Sequence, residues 1–264
     1  MKTLMKLIAT LAAASILAGC QTMANYNTGN AGRFGQYDCS GSAPAMPDEN
    51  TMIFRPAKQT CGGSTFGQRN EIVGNIFPQS QKKKLVMTAN VAIDADITVN
   101  KYGREQSRKT TLFQVASMTK GCNPAASFFI TNTRGTVTKT GYTHRKGANR
   151  SNINATCTHG YSRGQQGSGD GETPIPMNGT QFDLKVEFDF KGKGDFDYIV
   201  YMNGERINTF SHIRPAISTS NKEYALKFGL YSPEWFDYTM TVKNFRVDKV
   251  DKLSDEFYAT FDQS

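Results

Sequence analysis

Val91, Ile93, Ala95, Ile97 and Val99 alternate along the chain with Ala92, Asp94, Asp96 and Thr98. Phe182, Leu184, Val186, Phe188 and Phe190 alternate in the same way with Asp183, Lys185, Glu187 and Asp189. A period of two sends successive side chains to opposite faces, so each run predicts a strand with one buried and one wet face, the antiparallel signature. Helical periodicity is almost absent. Asn203-Gly204, between Ile199–Met202 and Ile207, predicts a two-residue hairpin turn. Tyr238, Met240 and Val242 keep one phase while Phe245 and Val247 take the other, which predicts a bulge around Lys243-Asn244. Gly164 to Gly171, rich in Gly, Gln and Ser, reads as a loop. Many strands without an internal linker or repeat point to an all-β fold, a single antiparallel jelly-roll β-sandwich.

Composition narrows the class. The 264 residues are 38% hydrophobic and 20% charged with 24 Gly and 9 Pro, which excludes a disordered, collagen-like or multi-span membrane chain. Lys2 and Lys6 precede an apolar run, Leu7 to Leu17, that closes on Ala18-Gly19-Cys20. The run is shorter than the roughly 20 residues of a membrane span and has the form of an export signal. Leu17-Ala18-Gly19-Cys20 resembles the bacterial lipobox, which implies lipidation (palmitate included) of Cys20 and anchorage of an exported protein in the cell envelope. With Gln21 following, the resemblance implies the outer membrane in a Gram-negative host. The expected organisation is a signal peptide over 1–19, a lipidated flexible tether over 20–35 and one domain over 36–264. Removing Lys2 and Lys6 lowers the formal charge from +8 to near +6, a balance that favours a polyanionic partner. Cys39, Cys61, Cys122 and Cys157 remain, an even count that suggests two disulfides in an oxidising compartment. Proximity favours Cys39–Cys61 and Cys122–Cys157 among three connectivities; a zinc site lacks the close ligand spacing it needs.

Three strand-like segments carry polar residues that a plain sandwich does not require. In Gln68–Ile72, Arg69 and Glu71 share a face. In Thr111–Ser117, Gln114 and Ala116 face away from Phe113 and Val115. In Tyr224–Tyr231, Lys227, Gly229 and Tyr231 lie opposite Leu226, Phe228 and Leu230. If the apolar faces meet the core, the opposite faces line one groove.

Arg-Asn-Glu-Ile, Phe-Gln-Val and Lys-Phe-Gly-Leu-Tyr resemble, in order and rough spacing, the motifs of the jelly-roll polysaccharide lyases: alginate lyases, glucuronan lyases and the heparin lyase I type. Those motifs are Arg-Ser/Thr-Glu-Leu-Arg, Gln-Ile/Val-His and Lys-Ala/Phe-Gly-x-Tyr, and the resemblance spans about Ile53 to Val250. It implies a concanavalin A-like sandwich that cleaves a uronic-acid polymer by β-elimination. Carried over by motif, Arg69 and Gln114 neutralise the sugar carboxylate and stabilise the developing enediolate. Tyr231 transfers the protons. Lys227 and Glu71 contact substrate, and Trp235 could stack on a sugar ring.

The sequence departs from the pattern twice. Ala116 stands where the second motif has histidine, and Val73 where the first has its second arginine. Either Tyr231 is both acid and base, or another residue replaces the histidine, His144 being the best substitute. A non-catalytic glycan-binding or adhesive lipoprotein on the same fold is the alternative reading. Hydrolysis by two carboxylates would ask Glu71 and Glu187 to serve. No nucleic-acid motif and no nucleophile–histidine signature is visible. The expected protein is a monomer without a cofactor, with a structural calcium left open.

Overall fold

The alternating runs are strands where the structure describes them, 91–95 and 182–190; residues 96–99 lie outside the described residues. A computed structural model describes residues 29–31, 34–36, 43–55, 57–61, 65–95, 108–117, 125–133, 136–144, 161–163, 181–213, 223–232 and 238–262. In chain order these form β1 (Phe34–Gln36), β2 (Ala45–Asp48), β3 (Thr51–Phe54), β4 (Ala57–Cys61), β5 (Thr65–Pro78), β6 (Lys82–Ala95), β7 (Arg108–Ser117) and β8 (Ala126–Thr133). β9 (Thr136–His144), β10 (Tyr161–Arg163), β11 (Gln181–Gly192), β12 (Asp195–Met202), β13 (Glu205–Ile213), β14 (Glu223–Ser232), β15 (Tyr238–Lys249) and a short helix, α1 (Asp255–Phe261), follow. One sheet runs β1-β5-β14-β7-β8-β9, with β4 also on β5; the other runs β10-β13-β12-β11-β6-β15-β3-β2. The pairings are antiparallel. The fold is the all-β jelly-roll sandwich that the alternation predicts.

The core lies between the inner faces. Phe113 of the first sheet meets Phe188 and Tyr198 of the second, and Phe77 meets Phe190, in edge-to-face contacts that aromatic quadrupoles favour. Asn203 and Gly204 both have positive φ, 51° and 80°, as the expected two-residue turn requires. The Asn203 side chain accepts from the Asp183 N–H at 2.9 Å, tying the turn to β11. The register of β15 on β6 shifts between Lys243 and Arg246, with Asn244 at φ 54°. That bulge lets Val242 and Phe245 both reach the core.

Two features differ from the sequence expectation. The expected tether through residue 35 is part of the fold from residue 29 in the stretches described. The Ala31 N–H donates to Val247 O at 3.0 Å, the Lys249 N–H donates to Asn30 Oδ1 at 2.6 Å, and Phe34 is buried edge-on to Phe245. The chain also ends on a helix that the scan for periodicity does not show, because seven residues are too few to display a period. Ser254 caps it, accepting from the Phe257 N–H at 3.1 Å. Phe257 packs with Ile199, Tyr201 and Leu253 on the outer face of the second sheet. There Glu187 accepts from Ser254 Oγ at 2.6 Å and pairs with Lys185 at 2.9 Å.

Candidate functional site

The three polar segments lie on neighbouring strands, with β14 between β5 and β7. In register, Tyr231 is opposite Arg69, Gly229 opposite Glu71, and Lys227 opposite Val73 on β5. Across β7, Lys227 is opposite Gln114 and Tyr231 opposite Thr111. Ile72, Phe113, Val115, Leu226, Phe228 and Leu230 belong to the core, so alternation puts Arg69, Glu71, Gln114, Lys227 and Tyr231 together on the outer face. The β14–β7 register slips between Phe228 and Tyr231, and the β7–β8 register slips between Thr111 and Phe113. The β14–β5 register is unbroken over the same stretch, so alternation along β14 keeps Tyr231 on the polar face.

Gly229 is a required glycine. Its φ is +140°, and a Cβ there would lie 2.3 Å from Asn70 O and 2.7 Å from the Glu71 Cα. Only a residue without a side chain lets β14 approach β5 this closely. Gly229 leaves a gap in the row of β14 side chains between Lys227 and Tyr231.

Charge is concentrated around that gap. Arg69 Nε lies 3.0 Å from Glu71 Oε2, while its guanidinium carbon sits 4.3 Å from the centre of the Tyr231 ring. Glu71 is 0% exposed, and among the described residues neither of its carboxylate oxygens meets hydrogen-bond geometry with a donor. Burial pushes the Glu71 carboxyl above the ordinary glutamate range, against the opposing pull of Arg69 and Lys227. Lys227 is 1% exposed and Gln114 3% exposed, so both are recessed. Arg69 and Tyr231 retain accessible surface.

The register extends the row from Lys227 and Gln114 to Ser127 and Thr143. Ser127, buried beside Gln114, was not singled out from sequence; only strand register reveals it. His144 pairs with Ala126, in the row of core-facing Val115 and not the row of Gln114. The structure does not describe its side chain. Trp235 lies outside the described residues, as do Cys20, Cys39, Cys122 and Cys157; Cys61 ends β4. Glu187 is on the outer face of the opposite sheet, under α1. It cannot flank one glycosidic bond with Glu71, which removes the two-carboxylate arrangement. Among the described residues, no group of three or more His, Cys, Asp and Glu side chains converges as metal ligands would.

No protein-family model matches the sequence, and no curated protein matches it either. The fold is similar to solved structures. An alginate lyase from Zobellia galactanivorans matches with a TM-score of 0.46 and 10% identity over 84% of this chain and 96% of that one. A family 7 alginate lyase in complex with substrate (GGMG) matches with a TM-score of 0.48 and 10% identity over 77% and 80%. An endo-β-1,4-glucuronan lyase from Trichoderma reesei matches with a TM-score of 0.37 and 10% identity over 86% and 91%. At these values no residue's role is taken from the likeness.

Proposed function

We propose that this protein is a polysaccharide lyase that cleaves a uronic-acid polymer by β-elimination. The observation that carries the reading is the Arg69 guanidinium held 4.3 Å from the Tyr231 ring, on the same sheet face as Gln114 and Lys227. β-Elimination removes the proton at C5, beside the sugar carboxylate, and expels the oxygen linked at C4. The C5 proton is weakly acidic until the carboxylate charge is neutralised, because the electron pair it leaves must spread into that group. Arg69 binds the carboxylate, and Gln114 donates to the enediolate oxygen as charge develops. Tyr231 removes the C5 proton and returns one to the leaving oxygen. The Arg69 guanidinium lies against the Tyr231 ring. With alanine at position 116 and His144 in the other register row, Tyr231 takes both proton transfers. The reading invokes no cofactor.

The same proposal places the protein in the cell envelope, lipidated on Cys20, acting as a monomer on an anionic polysaccharide. The test is ultraviolet absorbance of the unsaturated uronate product across alginate, glucuronan, pectate and heparin-like chains. Elimination creates a conjugated double bond that absorbs; hydrolysis does not. Absorbance should rise on at least one polymer. Silence on all four, with polymer binding retained, would replace the lyase by the glycan-binding reading.

A further inference from the structure

Among the described residues, Glu71 is the one acidic group beside Arg69, Gln114, Lys227 and Tyr231 on this face, and the proposed elimination gives it no step. A carboxyl buried this completely is costly when charged, even with a cation beside it. Among the described residues, the charged groups that face it are Arg69 on its own strand and Lys227 on β14. Tyr231, two positions beyond register neighbour Gly229, is the titratable group on the far side of Arg69. Gly229 puts no side chain in the way. The Arg69 guanidinium is thus fixed at two places: Glu71 lies 3.0 Å from its Nε, and the Tyr231 ring lies against its face.

An incoming sugar carboxylate must bind the same guanidinium. Two carboxylates on one cation, one of them desolvated, repel each other, and the less solvated one gives way by taking a proton. We propose that Glu71 is a positioning residue that orients Arg69 in the resting protein and takes up a proton when an anionic sugar carboxylate occupies Arg69. The proton comes from solvent and converts the Glu71 carboxylate to the neutral acid; no other bond is made or broken. The inference rests on the lyase reading for the identity of the anion. Burial prepares the exchange, because it already raises the affinity of Glu71 for its proton.

Linkage sets the sign. Binding coupled to proton uptake weakens as pH rises, by up to tenfold per pH unit when one full proton is taken up. Glu71→Gln mimics the protonated form in shape and charge. It should bind with an affinity nearly independent of pH and close to that of the parent at low pH.

The experiment uses the full folded protein in the Tyr231→Phe background, so that substrate is not consumed. Tetrasaccharides of mannuronate, guluronate, glucuronate and galacturonate are titrated by calorimetry in buffers of different ionisation enthalpy, which counts protons directly. In parallel, carbon-13 carboxyl NMR follows the titration of Glu71, assigned by its loss in Glu71→Gln. The expected result is uptake of a substantial fraction of a proton on binding, absent in Glu71→Gln, with Glu71 titrating above ordinary glutamates. Glu71→Asp should restore uptake in part, which a purely structural role would not. Binding without proton uptake, or a Glu71 carboxyl that titrates in the ordinary range, overturns the inference and leaves the lyase reading intact. No binding by any of the four, with Glu71 still titrating high, overturns the uronate reading and with it the linkage.

Discussion

Tyr231 and Arg69 form the smallest unit with functional content, a guanidinium against a phenol ring on the exposed part of a largely recessed polar face. Tyr231→Phe removes one hydroxyl and keeps the ring that Arg69 covers. Turnover of the polyuronate should fall by about 100- to 10,000-fold, toward the larger figure if the residue is both acid and base, with binding nearly unchanged. Steady-state absorbance assays beside calorimetric binding check this. Gln114→Ala should lose roughly 100-fold in kcat through weaker charge stabilisation. His144→Ala is the control: an inactive His144→Ala beside an active Tyr231→Phe would transfer the base to histidine. Glu71 also leaves a mark on stability. Burial raises its folded-state pKa above the ordinary glutamate range, so the folded protein holds this proton more tightly than the unfolded chain does. The stability it contributes is full below the unfolded pKa and is lost as pH rises through the folded one. Denaturant midpoints measured across that window should show the parent falling relative to Glu71→Gln; parallel curves would show that the carboxyl titrates normally.

At the scale of elements, the site depends on how closely β14 and β5 approach. Gly229→Ala places a Cβ against the Asn70 carbonyl and the Glu71 backbone, neither of which is a flexible side-chain end. The backbone conformation alone should cost at least about 1–3 kcal/mol, read as a lower thermal midpoint. A Gly229→Ala protein as stable as the parent would mean that the strands separate freely here. At the other face, Ser254→Ala removes a helix cap worth about 1 kcal/mol and a hydrogen bond to buried Glu187, so a loss near 1–2 kcal/mol is expected in equilibrium unfolding. These elements also show what could be read in advance. Alternation located β6 and β11, Asn203-Gly204 located a turn, and the phase slip after Val242 located the bulge, because each is encoded within a few adjacent residues. Adjacency of β5, β14 and β7 is encoded only by the whole topology. Alternation within three segments put their polar residues on one face, as the register has them, but could not show that Lys227 and Gln114 are recessed. The helix had a readable local signal in Ser254-Asp255-Glu256, a cap followed by an acidic first turn, which hydrophobic periodicity alone passes over.

At the scale of the whole molecule, the outer face of one sheet carries the candidate site and the outer face of the other carries α1. Two expectations concern the chain as a whole. Cys20→Ala should yield unprocessed or soluble protein instead of a membrane-fraction protein; unchanged membrane association would dismiss the lipid anchor. Thiol labelling of denatured, unreduced mature protein should find none of Cys39, Cys61, Cys122 and Cys157 free, and labelling of all four would exclude disulfides. The clamp between Asn30 and β15 has a mechanical consequence. The Asn30 N–H donates to Asp248 Oδ1 at 3.0 Å, and the Lys249 N–H donates back to Asn30 Oδ1. Tension applied to the chain before Gly29 is therefore borne first by an inner strand of the second sheet. Once that clamp peels, the load passes to β1, whose Gly35 lies opposite Val73, two residues from Glu71 on the same strand. Pulling on the chain before Gly29 would draw on buried Phe34 as it reached the strand that carries Glu71 and its arginine partner.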